Sequence, residues 1–477
     1  MKTWRSFGAG ALAALACLLG GAGAALAHTS ENAIVLILPR ELYIAGGTIV
    51  VGLSFLLVGL VGAAPLGRLE AAVWRLGRLP AGGGATGLSL ISFAVMLVLI
   101  AAGFLGTPDP LANPLPLTIW TLWWVGLTLA HLLFGNLWAA LNPWRGLFDL
   151  LARLPGLKGR AAPCRYPRAL GTWPALLQFF AFAWFELIHT APQDPETLAR
   201  AVGLYFLANL AAMAVFGKED WLRHGEAFSV FFRIVSWMSP LNGRPEDDTA
   251  GLHATLPGLG LLRVSALPFS AAAFVVLMLS TVSFDGLSLT FWWLGLIGIN
   301  PLAFPGRSAV LLPNSLGLLA TFLALLACFV VTVWLGQRLA GQTGNLRVAL
   351  GSYALSIVPI AFGYHFAHYL TIFLVDVQYA AIAFNDPLDR GWDLFGLSRA
   401  HVTASFLADF DSVTLIWRSQ IAIIVVAHVV AVALAHMIAL KQTAGRWTAV
   451  VSQIPMTVLM ICYTLFGLWL LSSPVAG

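Results

Sequence analysis

Residues 349–379 read ALGSYALSIVPIAFGYHFAHYLTIFLVDVQY, with Asp376 the single formal charge. A helix needs about 20 mostly apolar residues to cross the roughly 30 Å hydrocarbon core of a bilayer. This stretch is therefore read as a membrane span, and a helix satisfies every backbone group internally where no water is available. Working outward, similar runs occur at 42–63, 88–106, 116–140, 172–190, 198–216, 264–283, 314–336, 414–439 and 449–472, ten in all. Composition agrees. Of 477 residues 59% are hydrophobic and 10% are charged, whereas a soluble domain is about 25% charged. The expected fold is all-α, a polytopic transmembrane helical bundle with the lipid bilayer as its partner. Phe291–Ile299 is too short to cross and precedes Pro301 and Pro305, so it reads as interfacial or re-entrant. Trp221–Trp237 is amphipathic and basic and is expected on the inner membrane surface. No loop is long enough for a soluble domain.

Lys2 and Arg5 precede an apolar stretch, Phe7–Leu26, that closes on Ala25-Leu26-Ala27. This is the pattern of a cleaved signal peptide. The expected organisation is a signal peptide over 1–27 and a single transmembrane domain over 28–477. Cleavage would leave His28 at the mature N-terminus, where amine and imidazole together suit copper. With that terminus outside, the loops 64–87, 141–171, 217–263, 337–348 and 440–448 face the cytoplasm. They hold 18 Lys and Arg residues, against 6 in the outer segments, as the positive-inside rule requires. Ten spans return the C-terminus to the outer side, so both mature termini are expected in the periplasm of a bacterial inner membrane.

Several function classes are excluded early. No basic run with interleaved aromatics points to nucleic acid. The glycine run Pro80-Ala81-Gly82-Gly83-Gly84 lacks the strand and the Lys-Ser/Thr of a phosphate loop. No Gly-x-Ser-x-Gly elbow is present. Cys17, Cys164, Cys328 and Cys462 form no CxxC pair, so neither a disulfide framework nor a thiolate metal site is indicated.

Ionisable groups within spans are expensive and are functional candidates. His365 and His368 stand at i and i+3, on one helical face. Glu186 and His189 repeat that spacing, and Glu-x-x-His is used by carboxylate-bridged metal sites in bundles. These four, joined by His28 and His428, are the candidate metal ligands for zinc or copper. A metal so held lowers the pKa of a bound water to about 7 and makes hydroxide available. Asp285 and Asp376 are the candidate catalytic acids or bases. His131 and His436 read instead as histidines bonded to neighbouring helices. The last outer loop, Asn385–Gly396, mixes acids, Arg390 and aromatics and reads as an ordered lid.

At these residues the chain resembles bacterial integral-membrane proteins of the fenitrothion hydrolase type. The resemblance rests on Ala27-His28, Asn142-Pro143-Trp144-Arg145, Gly225-Glu226-Ala227-Phe228, Ser239-Pro240, Phe284-Asp285-Gly286 and Ala367-His368-Tyr369. It continues through Asp386–Gly396 and Ser452-Gln453-Ile454-Pro455-Met456 to Gly467–Leu471. It implies hydrolysis of the P–O-aryl bond of an organophosphorus triester, a small apolar substrate that partitions into membranes. It brings no catalytic residues of its own. A second membrane subunit is a further expectation. Trp392, Phe395, Trp292 and Trp293 are candidates to pack an aryl ring. Three rivals stand beside this reading. Copper handling draws on His28 and the intramembrane histidines. Haem ligation draws on His131, His365 and His428. A transporter would use the same histidines to relay protons.

Overall fold

The computed structural model describes residues 40–80, 85–155, 161–246, 249–303 and 306–473. The expected signal peptide and His28 lie outside the described residues. From Glu41 onward the chain forms one compact unit. Among the described residues, nine helices are long and apolar enough to cross a membrane. They are α1 (Glu41–Gly59), α2 (Ala85–Leu105), α3 (Pro114–Phe134), α5 (Pro195–Phe216), α6 (Phe269–Ser288), α7 (Arg307–Leu339), α8 (Leu346–Ala383), α9 (Phe410–Gln442) and α10 (Arg446–Leu471). The remaining expected span, α4 (Trp173–Leu187), is helical but has only 15 residues.

Loop pairing shows that α4 nevertheless counts as a crossing. A three-stranded antiparallel sheet is built from β1 (Trp74–Pro80), β2 (Leu241–Glu246) and β3 (Thr249–Ala254), in the order β1-β3-β2. β1 follows α1, and β2 and β3 follow α5. Four helices separate these loops, so they share a face only if α4 crosses with the other three. Lys441, in the last turn of α9, extends the same face by bonding the Glu70 carboxylate at 2.7 Å. The sheet is a small addition to the otherwise helical fold. Its strands are short and Gly- and Pro-interrupted, which hides their period in the sequence.

The core is organised around α6 and α8. Within their most apolar windows 83% and 78% of residues are buried, against 22–50% for the other crossing helices. These two are thus shielded from lipid by the rest. Their close approach needs a residue without a side chain at Gly351, where a Cβ would come within 1.9 Å of the Leu267 carbonyl oxygen.

A correction concerns Trp221–Trp237. Its central helix, Ala227–Ser236, does not lie on the surface. Phe228, Val230, Phe231, Phe232, Ile234 and Val235 are all buried. Apart from Ser229, Arg233 and Ser236 the helix is apolar, and such a helix belongs in a core. Its entry is capped by Glu226, whose carboxylate accepts from the Phe228 and Ser229 N–H groups and from the Tyr205 hydroxyl. Phe228 packs edge-on against Trp123 with ring centres 4.2 Å apart. The apolar face beneath the site is built this way.

Candidate active site

The candidate site forms where α4, α6, α7 and α8 meet, at the face opposite the sheet. Asp285 sits in the last turn of α6, where the helix dipole disfavours an anion. Compensation comes from α8. His368 Nε2 lies 2.8 Å from Asp285 Oδ2, and the Tyr369 hydroxyl lies 3.0 Å from the same oxygen. The Tyr369 hydroxyl also lies 2.7 Å from Glu186 Oε1. Two acids from different helices are thus bridged by one phenol. His368 Nδ1 has no hydrogen-bond partner among the described residues.

Arg307 anchors the arrangement from the start of α7. It donates to the carbonyl oxygens of Glu186 at 2.8 Å and of His189 at 3.2 Å. The last carbonyls of a helix have no partner within it, and Arg307 supplies one at the end of α4. Its charge also faces Asp285 and Glu186.

α3 contributes a backbone irregularity. Leu117–Leu127 is wound as a π-helix, a geometry frequent at functional sites. Within it the Trp124 carbonyl accepts from Thr128 Oγ1 at 2.6 Å and lies 3.2 Å from His365 Nε2.

Two cavities meet at this network, and both are walled by Glu186, Leu187 and Tyr369. The outer one, about 200 Å³, is lined also by Asp285, His368, Arg307, Asp376 and Phe373. The inner one, about 20 Å³, is bounded by Trp124, Thr128, Phe231, Met278, Thr281 and His365.

The structure brings together only part of the expected residue set. Glu186, Asp285 and His368 join in one network. Asp376 lines the outer cavity without a hydrogen bond among the described residues. His365 and His368 share a helical face, but their rings turn to different partners, Trp124 and Asp285. His189 does not join Glu186. Its Nδ1 accepts from the Ala191 N–H at 3.1 Å and its ring stacks on Phe185. His428 bonds the Ile424 carbonyl on its own helix, with its ring centre 5.8 Å from that of Tyr364. Among the described residues no three His, Cys, Asp or Glu side chains converge as a metal-binding group. The donors of Glu186, Asp285 and His368 face one another and Tyr369 instead of a common point.

His131 and His436 are satisfied as helix-bonding histidines. His131 Nδ1 lies 2.7 Å from the Leu127 carbonyl, and its Nε2 accepts from the Trp138 N–H at 2.8 Å. His436 bonds Gln453 and the Val61 carbonyl. Tyr369, Arg307 and Trp124 were not among the expected site residues. Tyr369 is adjacent to His368 in sequence, and Arg307 is one of the six basic residues on the sparsely charged face. Those were the available signals.

The loop Asn385–Gly396 is tied together by its own side chains. The Asn385 side chain accepts from the Phe395 N–H at 2.7 Å and donates to Asp393 at 2.7 Å. Hydrogen bonds from Asn385 and Ser398 hold the Asp393 carboxyl below its ordinary range. Comparison with known proteins adds no identity to this geometry: no family model, no curated protein and no solved structure matches the chain.

Proposed function

We propose that this chain is a membrane-embedded hydrolase of small apolar esters, of the organophosphorus triester type that the sequence resemblance implies. The observation that carries the reading is the 2.8 Å contact between Asp285 and His368 at the wall of a cavity. A carboxylate fixes one ring nitrogen as N–H and leaves the other free to take a proton. Here Asp285 holds Nε2, and Nδ1 is the base. A water in the outer cavity gives its proton to His368 Nδ1 as its oxygen attacks phosphorus. The P–O-aryl bond breaks, and a nitrophenolate leaves with the bonding electron pair. Arg307 places positive charge beside the site. The cavity of about 200 Å³ is smaller than the roughly 300–1,000 Å³ of sites that engulf a drug-sized ligand. It accommodates the phosphoryl centre and its alkyl groups, with the aryl ring against the rim residues Trp120, Ile372 and Phe373.

The basic loops lie on the sheet face, and we assign that face to the cytoplasm. The cavity then opens toward the periplasmic leaflet, where an apolar triester accumulates. Zinc or copper was the expected water activator. The donor geometry supports the Asp285–His368 pair in that role, because its atoms are already matched to each other. A partner subunit plays no part in this reading.

The test is nitrophenol release from a nitrophenyl phosphotriester by purified protein in proteoliposomes. Turnover is expected in the wild type and should survive dialysis against a strong chelator. His368→Gln should lower it by about 10²-fold or more. No release by the wild type defeats the hydrolase reading. Loss of release on chelation, restored by zinc or copper, replaces the His368 base with a metal hydroxide.

A further inference from the structure

Hydrogen counting at Tyr369 leads beyond the choice of substrate. A phenol carries one proton, yet the Tyr369 oxygen is within hydrogen-bond distance of both Glu186 and Asp285. If both acids were ionised, one of these contacts would set oxygen against oxygen with no proton between them. A second proton must therefore reside in the network. Asp285 already receives His368 Nε2 directly, which suits a carboxylate. Glu186 has no ion pair among the described residues, and its side chain forms its one direct hydrogen bond with Tyr369. The proton belongs on Glu186, which donates to Tyr369 while Tyr369 donates to Asp285.

The inner cavity supplies an independent observation. Trp124 is 4% exposed, and its indole N–H closes no direct hydrogen bond. It shares the wall of that cavity with Glu186 and Tyr369. A buried donor without a partner is costly, so an occupant that accepts from it is favoured. The volume, about 20 Å³, admits one water, for which about 10–15 Å³ and two to four polar partners are needed. Trp124 offers a donor, and the Glu186 carboxyl and the Thr281 hydroxyl oxygen offer acceptors.

We propose that the inner cavity is a binding site for a single water, and that this water and Trp124 hold Glu186 as a protonated carboxyl, the proton store of the site. The charged and titratable neighbours of Glu186 are Asp285, His368, Tyr369 and Arg307. Glu186 and Tyr369 form the partition between the two cavities. The stored proton thus sits one hydroxyl away from Asp285 and can reach the outer cavity without bulk water entering.

Infrared spectroscopy of the protein in lipid nanodiscs tests the proton without any substrate. At neutral pH the wild type should show a carboxylic-acid C=O band that Glu186→Gln removes and Tyr369→Phe shifts. Should the Gln variant not fold, the Tyr369→Phe shift alone decides. A cryo-electron microscopy map that resolves waters should show one density between Trp124 Nε1 and Glu186, absent in Trp124→Phe. A dry inner cavity in the wild type overturns the proposal. So does a wild type with no protonated carboxyl assignable to Glu186. Neither result bears on whether the protein hydrolyses esters.

Discussion

Asp285→Asn is the sharpest perturbation of the proposed chemistry. The carboxylate accepts from His368 at 2.8 Å and from Tyr369 at 3.0 Å on a single oxygen. An amide in its place has one acceptor oxygen and one donor nitrogen. With the amide oxygen in the place of Oδ2 both partners keep a weaker, neutral acceptor; with the nitrogen there, His368 and Tyr369 both lose theirs. If the amide nitrogen faces His368, the imidazole must expose a lone pair there and carry its proton on Nδ1. That tautomer cannot take a proton from water. A positioned general base contributes about 10²–10⁴-fold, which is roughly 3–5 kcal/mol of barrier. Asp285→Asn should lose most of that range, and His368→Gln should lose about as much. Because the two act as one unit, the double variant should be no slower than the worse single variant by more than about threefold. The assay is single-turnover nitrophenol release in proteoliposomes, with circular dichroism to confirm that helix content is retained. Losses that multiply in the double variant would show two independent contributions. That result would refute the paired role.

Other consequences are more local. Arg307→Ala frees the Glu186 and His189 carbonyls and should lower both activity and thermal stability, by about 1–3 kcal/mol in stability, with Arg307→Lys a partial rescue seen by thermal denaturation in detergent. Glu226→Ala removes two N-cap bonds and leaves the Tyr205 hydroxyl buried without its acceptor; the expected cost is about 3 kcal/mol, measured in the same assay. Gly467→Ala would put a Cβ 1.6 Å from the Tyr364 hydroxyl oxygen and 2.1 Å from its ring carbon Cζ, so overpacking of about 1–3 kcal/mol is expected; Tyr364→Ala should relieve it, and Tyr364→Phe, which keeps the ring, should not. The outer loop carries Asp386 and Asp393, both held below the ordinary carboxylate range by hydrogen bonds. A depressed folded value gives order that is present above the unfolded value of about 3.9 and lost as pH falls through the folded one. Pepsin should therefore cut within 385–398 only below about pH 4, and earlier cutting would contradict the hydrogen-bonded loop.

What could be read from the sequence follows from which signals are local. Helices of about 20 apolar residues announce themselves, because lipid imposes both length and composition. Glu186, Asp285 and His368 stood out because a charge inside a span needs a reason. What could not be read was which way each ring turns. The i,i+3 spacing of His365 and His368 fixes a face but not a partner, and the choice was made by the Trp124 carbonyl from another helix. Tyr369 carries no charge, so its sequence position did not mark it, although its hydroxyl lies between two acidic side chains. The burial of Ala227–Ser236 was masked by Arg223 and Arg233, which gave the segment a surface-like pattern. Arg233 in fact donates to the Arg223 carbonyl.

The shortness of α4 explains why a polar site exists at this depth. Fifteen residues rise about 22 Å as an α-helix, against a hydrocarbon core of roughly 30 Å. The helix is therefore about 8 Å shorter than a full crossing, and Arg307 reaches its last carbonyls, which brings a cation to the same level. Glu186, one residue from the helix end, is carried to that level too. The outer cavity occupies the space that a full-length helix would have filled. Inserting one helical turn after Leu187 should close this space. It would push the Arg307 anchor outward and abolish hydrolysis, while leaving the sheet-face contact between Glu70 and Lys441 undisturbed. If the insertion variant kept wild-type turnover, the cavity would owe nothing to the length of α4, and the site would have to be sought elsewhere in the bundle.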